Sequence, residues 1–328
     1  MIRSVLRHED ATVQRDLTPE EAESALTDDA ELLWMDINQE PPEVVEKILS
    51  NGFNFHPLAI DDALNEQHVA KVDDWQTYLY IVLRGAALPN EDDAELLAPE
   101  LDIFLGRNFL VTYSDESVTA VDKVWNLCYQ DERWLARGPD FLLYRLADEL
   151  VTDMMDVANE MHFQIDALEE DIFGDRPPDT LEDLFTLKRN ILRLRRIVLP
   201  ERDTLLRLSR DGYSVIDEAD RIFFRDVYDH LLRLHDVLDE MVLLVSSALD
   251  TYLSVINNRM NDIMKTLTII TALFMPLAFI TGFFGMNFFT PSANMPELTG
   301  RLALLVSMLI MAGVPAGMFW WMHHRGWI

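Results

Sequence analysis

The sequence predicts an α+β cytoplasmic domain of the α/β-sandwich type, followed by a long stalk helix and a two-helix transmembrane segment. Three observations predict this order. Short β-favouring runs alternate with helical candidates over residues 1–138, and residues 213–275 contain neither glycine nor proline. Two uncharged apolar runs then follow in a chain that is otherwise strongly acidic. The N-terminal residues lack the apolar run of a secretory signal, so we expect the first domain to stay in the cytoplasm.

Residues 1–138 are predicted to form the cytoplasmic α/β domain. Runs rich in β-branched and aromatic residues predict strands at Leu32–Ile37, Tyr78–Leu83, Leu101–Leu105 and Phe109–Tyr113. The last two runs are separated by Gly106-Arg107-Asn108, which favours a hairpin. The helical candidates are Pro42–Ser50, Pro57–Asn65 and Ser117–Arg137.

Residues 139–212 are predicted to form a cytoplasmic helical hairpin. Its arms, Pro139–Phe173 and Thr180–Ser209, are separated by a turn containing glycine and two prolines, which neither helix can continue through. The first arm is acidic and the second basic, so we expect the arms to pair electrostatically. The residues concerned are Asp166, Glu169, Glu170 and Asp171 on one arm, and Arg189, Arg193, Arg195 and Arg196 on the other.

Residues 213–265 are predicted to form the stalk helix, which enters the membrane without a break. Apolar or small side chains recur along it at alternating spacings of four and three, a pattern typical of a packing seam. The seam residues are Val227, Leu231, Leu234, Leu238, Met241, Val245, Ala248, Tyr252 and Val255. Periodicity leaves two alternatives open: helices associating in parallel, or one helix packing on its own chain.

Residues 266–284 and 302–322 are predicted to be transmembrane helices TM1 and TM2. Neither contains a charged residue, and at 1.5 Å per residue they span roughly 28 to 32 Å, about one hydrocarbon core. Pro276 and Pro315 are expected to be accommodated inside the spans. Residues 285–301 are predicted to form the outer loop and residues 323–328 the tail. The basic residues Arg259, Lys265 and Arg325 flank one side, against Arg301 on the other, which predicts that both termini are cytoplasmic.

The distribution of charge excludes some partners and favours others. The formal net charge is −30, but residues 261–328 sum to +1, so −31 lies on residues 1–260. Such a field repels nucleic acid and collects cations. Cys128 is the only cysteine, which excludes an intramolecular disulfide and a thiolate metal cluster. The sequence contains no phosphate-binding loop, zinc-protease helix or nucleophile elbow, so we expect no enzymatic activity and no organic cofactor.

A short motif lies at the outer end of TM1. The sequence reads Phe284-Gly285-Met286-Asn287-Phe288, with Met295-Pro296-Glu297-Leu298 a few residues later. In this position, and after Met260–Ile270, the motif resembles the Gly-Met-Asn signature of the CorA family of magnesium and cobalt transporters. The resemblance covers the whole chain, from the acidic domain to the tryptophan-containing tail.

The resemblance implies a funnel-shaped homopentamer with a pore for divalent cations on its axis. The implied selectivity filter is Gly285, Met286 and Asn287, and Glu297 is expected to attract cations in the outer loop. The residues implied to line the pore are Asn261, Met264, Leu267, Met275 and Ala278. Because Ala278 stands where relatives often have threonine, one polar ring is expected to be missing.

The resemblance also implies regulation by cytoplasmic Mg²⁺, which is then both the substrate and the regulatory ligand. Asp226 and Asp250 fall on stalk positions where relatives bind metal between protomers, and Glu91, Asp92 and Asp93 are candidate facing ligands. Acidic clusters between subunits repel when empty and are bridged when Mg²⁺ binds. The expected function is membrane-potential-driven uptake of Mg²⁺, with Co²⁺ or Ni²⁺ as further substrates, across a bacterial or archaeal inner (plasma) membrane.

Two alternatives to this function are open. A zinc transporter of the ZntB branch shares the architecture but generally has valine at the position of Met286. A membrane-tethered sensor or scaffold would use the acidic domain to bind a partner and would transport nothing. That alternative gives no reason for Asn287 at the boundary of the membrane.

Overall fold

The computed structural model describes residues 1–25, 30–65, 67–88, 95–174, 180–285 and 301–327. The chain divides into two compact units, Met1–Leu249 and Asp250–Ile328. The first unit contains a mixed β-sheet with helices, and the second contains two apolar helical segments.

A sheet of seven strands, counted over the described residues, forms the centre of the first unit. The strands are β1 (Ile2–His8), β2 (Val13–Arg15), β3 (Ala30–Asn38), β4 (Lys71–Asp74), β5 (Tyr78–Arg84), β6 (Glu100–Gly106) and β7 (Phe109–Ser114). Their order is β2-β1-β3-β7-β6-β5-β4, with β3 and β7 parallel and the other neighbours antiparallel. The four predicted strands and the β6–β7 hairpin are confirmed, whereas the prediction missed β1, β2 and β4.

The helices of the described residues are α1 (Pro19–Ala25), α2 (Pro42–Lys47), α3 (Pro57–Asn65), α4 (Thr119–Gln130), α5 (Pro139–Phe173), α6 (Thr180–Arg210), α7 (Arg221–Phe284) and α8 (Arg301–His324). The bounds predicted for α3 and α5 are confirmed, and α6 extends one residue beyond its prediction.

Two predicted helices change their geometry before they end. The segment predicted as Pro42–Ser50 is α-helical only to Lys47 and continues as a π-helical turn, Ile48–Gly52. The segment predicted as Ser117–Arg137 is interrupted at Asp131, whose backbone is extended and whose side chain accepts a hydrogen bond from the N–H of Arg133 at 3.1 Å. A local side-chain cap of this kind starts a new turn, here the 3₁₀ segment Glu132–Arg137.

The sheet is packed on both faces, which confirms the α/β sandwich. On one face Phe104 stacks on Phe55, which precedes α3, with ring centroids 4.4 Å apart. On the opposite face Trp34 of β3 contacts Trp125 of α4 at 4.8 Å. Trp34 and Phe104 are both fully buried. Burial on both faces explains why β5 reads as a nearly continuous apolar run instead of an alternating one.

The long helix α7 begins at Arg221, eight residues after the start predicted at Tyr213. The segment before it is held in turns by contacts to the start of α5 and to the 3₁₀ segment that precedes α5. The carboxylate of Asp140 in α5 accepts a hydrogen bond from the N–H of Asp217 at 2.9 Å, and Arg137 pairs with Asp220 at 3.1 Å. These contacts hold the chain outside helical geometry before Arg221. A prediction based only on the absence of glycine and proline therefore overestimates the length of the helix.

The apolar seam of α7 is buried within the protomer. Its members from Val227 to Tyr252 are 0–8% exposed in the single chain. Near the start of the helix, Phe223 contacts Phe141 and Tyr144 of α5, with ring centroids 5.5 and 4.9 Å apart. The seam therefore packs on its own chain, which was one of the two alternatives.

The expected electrostatic pairing of the hairpin arms is wrong among the described residues. Arg189 and Arg193 of α6 pair with Glu95 at 3.4 and 3.1 Å, and Arg195 pairs with Asp239 of α7 at 2.8 Å. The acidic cluster lies near the end of α5. Counted outward from the turn of an antiparallel hairpin, residues 193–196 fall opposite about residues 157–161, beyond that cluster.

The second unit contains the remainder of α7 and all of α8. Both helices are long and apolar enough to cross a membrane, with mean hydropathies of 1.9 and 1.7 over their most apolar windows. Pro276 and Pro315 lie inside the two helices, as expected.

Candidate ion-conduction site

The Gly-Met-Asn motif starts where α7 ends. Gly285 follows the last helical residue, and its N–H donates to the carbonyl oxygen of Thr281 at 2.9 Å. A Cβ at this position would lie 2.9 Å from the same oxygen, closer than side-chain carbons normally approach. Glycine therefore permits this close approach of the backbone. Met286, Asn287 and Glu297 lie outside the described residues.

The residues predicted to line the pore share one face of α7. At 100° per residue, Asn261, Met264, Leu267, Met275 and Ala278 fall within an arc of about 120°. All five are exposed in the single protomer. Met264, Leu267 and Met275 are 57, 56 and 65% exposed. The arc carries no charge, and it extends about 26 Å along the helix at 1.5 Å per residue.

Two threonines that the sequence prediction did not include lie in the same arc. Thr268 and Thr271 are exposed, and their hydroxyls donate to the carbonyl oxygens of Met264 and Leu267 at 2.7 and 2.8 Å. A hydroxyl oxygen retains lone pairs when it donates, so each can accept a hydrogen bond from water. Helical periodicity places both threonines in the same arc, so the sequence alone contained the information needed to predict them.

An apolar groove lies beside this face in the second unit. Its volume is about 490 Å³, and it is lined by Leu267, Thr268, Thr271, Ala272, Met275 and Pro276 of α7 and by Met318 of α8. Two of the predicted pore residues therefore border it. The groove contains only hydroxyls as side-chain polar groups.

The candidate regulatory residues are exposed where the structure describes them. Asp226 and Asp250 both lie on α7 outside its buried seam. Glu91, Asp92 and Asp93 lie outside the described residues, so the structure does not bring the predicted set together. Within the described part of one protomer, no three His, Cys, Asp or Glu side chains converge to hold a metal ion.

Part of the formal negative charge lies on buried carboxyls, and burial disfavours their ionised form. Burial raises the pKa of Asp102 well above its ordinary value, and Asp102 accepts a 2.6 Å hydrogen bond from the Tyr80 hydroxyl. Burial also raises the pKa of Glu201 to about 8. These two carboxyls lie in the interior of the first unit, whereas Asp226 is exposed to solvent.

Comparison with known proteins identifies relatives over nearly the whole chain. The family profile of CorA-like Mg²⁺ transporter proteins matches residues 29–324. The cobalt/magnesium transport protein CorA of Thermotoga maritima is 32% identical over 287 residues, covering 87% of this chain and 80% of that protein. A zinc transport protein, ZntB of Yersinia pseudotuberculosis, is 22% identical over 295 residues, covering 90% of this chain and 88% of that protein.

A solved structure has the same fold. The complete structure of the CorA magnesium transporter from Methanocaldococcus jannaschii matches with a TM-score of 0.82 at 23% identity, covering 100% of this chain and 99% of that one. The match includes both the sheet-containing unit and the two apolar helices.

Proposed function

Because this chain belongs to the family of CorA-like Mg²⁺ transporter proteins, we propose that it conducts hydrated Mg²⁺ through a homopentameric pore, driven by the membrane potential. The family consists of metal-ion transporters and is not an enzyme class. The observation that carries the proposal is the uncharged, exposed face of α7 that leads to Gly285, directly before Met286 and Asn287.

The chemistry of the ion fits this face. Mg²⁺ gives up its waters reluctantly, so a pore of neutral oxygens can bind the hydrated ion without removing its shell. Five copies of Asn287 would offer a ring of amide oxygens at the entrance. Below it, Thr271 would add hydroxyls, which compensate for the threonine that is missing at Ala278. Met264 and Leu267 would form rings that close by excluding water.

The membrane potential is a sufficient driving force. A divalent ion crossing 100 mV gains about 4.6 kcal/mol, at about 2.3 kcal/mol per charge. We place the chain in the plasma membrane with both termini in the cytoplasm, because the basic residues Arg259, Lys265 and Arg325 lie on that side. Uptake then follows the direction of an inside-negative potential.

Cytoplasmic Mg²⁺ is proposed to close the channel. Asp226 and Asp250 are exposed on the helix that continues into the membrane, and Glu91, Asp92 and Asp93 of a neighbouring copy are the proposed facing ligands. Mg²⁺ between them would replace repulsion with bridging and favour the closed conformation over the open one.

Mg²⁺ is proposed as the main substrate, with Co²⁺ or Ni²⁺ as further ones. Met286 favours the magnesium branch, since the zinc branch generally has valine there. The similarity to ZntB keeps zinc transport as the second candidate.

The proposal is tested with purified protein in liposomes that contain a Mg²⁺ indicator, under an inside-negative potential. Wild type is compared with Asn287→Ala and with the matched control Asn294→Ala, which removes an amide from the same outer loop. We expect Mg²⁺ entry that depends on the potential, is lost in Asn287→Ala and is kept in Asn294→Ala.

Each contrary result favours a different function for this chain. Entry of Zn²⁺ without entry of Mg²⁺ would assign the chain to the zinc branch. Absence of flux for every ion, with protein correctly inserted, would favour the membrane-tethered sensor or scaffold.

A further inference from the structure

A small basic cavity lies in the first unit, between α6 and the β4–β5 edge of the sheet. Its volume is about 230 Å³. We name it the arginine pocket, and its lining residues are Gln67, Val69, Ala70, Arg84, Ala98, Arg193, Arg196, Ile197 and Pro200. Three guanidinium groups around one cavity are unusual in a region whose net charge is about −31.

Arg84, the last residue of β5, is held rigidly in the pocket wall. Its two terminal nitrogens donate to the carbonyl oxygens of His68 and Ala98 at 3.3 and 2.9 Å. These acceptors are neutral, so they orient the guanidinium without cancelling its charge. The Nε–H is buried and has no hydrogen-bond partner among the residues that the structure describes. Because buried N–H groups are nearly always paired, this donor is available to an acceptor that enters the pocket.

The two arginines of α6 supply further unused donors. Arg193 and Arg196 are three residues apart and therefore lie on one side of the helix. Arg193 gives one N–H to Glu95 at 3.1 Å and keeps other donors, because a guanidinium has five. Arg196 makes no ion pair or hydrogen bond with any residue that the structure describes.

The carboxylates near the pocket only partly compensate this charge. Glu100 lies 3.9 Å from Arg84, but both of its oxygens accept hydrogen bonds from the N–H of His68, at 3.1 and 2.9 Å. Burial raises the pKa of Glu201 to about 8, so that residue is mostly neutral at pH 7. Glu95 is shared between Arg193 and Arg189. The pocket therefore keeps a net positive charge.

From this geometry we propose that the arginine pocket binds a small phosphate-type anion, either inorganic phosphate or the phosphate group of a small monoester. Guanidinium groups recognise phosphate through paired, charge-assisted hydrogen bonds. The volume equals roughly eight waters at about 30 Å³ each and is below the roughly 300–1,000 Å³ of sites for drug-sized ligands. A protein segment or a complete nucleotide would not be enclosed.

The position of the pocket connects it to the helix that enters the membrane. Arg193 and Arg196 flank Arg195, which pairs with Asp239 of α7 at 2.8 Å, and Lys188 of the same helix donates to Ser246 at 3.1 Å. An anion that orders this part of α6 therefore acts on the residues that hold α7. The site would let the first domain respond to a phosphate compound as well as to a cation.

The test is calorimetric titration of the full chain in a maltoside detergent, which contains no phosphate group. Sodium phosphate is injected in magnesium-free buffer, with sodium chloride of equal ionic strength as the reference. Arg196→Gln is compared with Arg207→Gln, a matched control on the same helix that loses the same charge outside the pocket and away from Glu95. We expect saturable binding to wild type and to Arg207→Gln. In Arg196→Gln the affinity should fall at least about tenfold, because charge-assisted hydrogen bonds are lost.

A titration with glycerol phosphate distinguishes the two sources of the anion. If glycerol phosphate binds as tightly as inorganic phosphate, the pocket recognises the phosphate group of a monoester. If it binds more weakly, the pocket prefers the free ion. Both support the site. Equal binding in wild type and in a folded Arg196→Gln would overturn it, as would the absence of binding to wild type. A third contrary outcome is that Arg196→Gln shrinks the assembly in light scattering while phosphate has no effect. Arg196 would then pair with a carboxylate on the surface of a neighbouring copy.

Discussion

Replacing Glu201 with glutamine is expected to remove a large part of the pH dependence of stability in the first domain. Glu201 is 1% exposed, and its Oε1 accepts a hydrogen bond from the backbone N–H of Arg84 at 2.7 Å. Its Oε2 has no hydrogen-bond partner within the described part of the chain. Burial in this environment disfavours the charged form and raises the pKa from 4.5 to about 8.

The direction and size of the effect follow from the two pKa values. Below pH 4.5 the carboxyl is protonated in both the folded and the unfolded state, so its ionisation does not change the free energy of unfolding. As pH rises, the unfolded chain loses the proton first, so the folded state loses stability up to about pH 8. At about 1.4 kcal/mol per pH unit, the loss is roughly 3 kcal/mol at pH 7 and approaches roughly 5 kcal/mol above pH 8.

The assay is urea unfolding of the full chain in detergent micelles, followed by tryptophan fluorescence from pH 5 to pH 9. Glutamine keeps the oxygen that accepts from Arg84 but cannot ionise, so the stability of Glu201→Gln relative to wild type should increase steadily with pH. The control is Glu182→Gln, which neutralises an exposed residue near the start of α6. Parallel curves for wild type and Glu201→Gln would refute the assignment of a buried, protonated carboxyl.

Three further substitutions test the pore and the core. Thr271→Val should lower Mg²⁺ flux about fivefold, because it removes one hydrogen bond worth about 1 kcal/mol. The control Thr266→Val loses the same kind of hydroxyl on the opposite face of the helix and should keep the wild-type flux. An equal loss of flux in both variants would show that Thr271 does not line the pore. Leu267→Ser should let water enter the proposed constriction at Leu267 and raise Mg²⁺ flux at high cytoplasmic Mg²⁺. Wild-type inhibition of flux in Leu267→Ser, or an equal rise in flux in the control Leu273→Ser, would contradict this. Phe104→Ala should destabilise the domain by about 3 to 5 kcal/mol, measured as a lower urea midpoint, because it removes a fully buried ring that stacks on Phe55.

The elements that the sequence predicts well are those whose ends are chemically marked. Helix α5 starts at Pro139 after Gly138, whose φ of 95° favours glycine, and ends before Gly174. The two apolar helices are marked by their uncharged composition. In these cases the local residues alone determine the structure.

Strand β1, which the prediction missed, depends on contacts distant in the sequence. Strand β1 contains two arginines and a histidine, which local preference does not assign to a buried sheet. Arg3 is nevertheless satisfied by Asp36 of β3 at 2.8 Å and by Asp122 of α4 at 2.7 Å. A charge that is neutralised by partners 33 and 119 residues away cannot be recognised from its neighbours.

The pore face and the arginine pocket illustrate the same distinction. The pore face is a property of one helix, so helical periodicity alone places Asn261 and Met275 on the same side. The arginine pocket joins Arg84 of a strand to Arg193 and Arg196 of a helix, so the spacing of residues along the chain does not predict it. The sequence therefore predicts sites on single elements and misses sites assembled from several.

The contrast between the acidic domain and the uncharged face proposed to line the pore follows from the energetics of conduction. A divalent ion about 4 Å from one carboxylate, at an effective dielectric constant of about 20, gains about 8 kcal/mol. A ring of five would exceed by far the roughly 4.6 kcal/mol that 100 mV supplies, and the ion would not leave. In the proposed pore, neutral oxygens at Asn287 and Thr271 would avoid this trap. The exposed carboxylate of Asp226 belongs to a proposed regulatory site, where longer retention of Mg²⁺ would be useful because it would report the concentration of the ion.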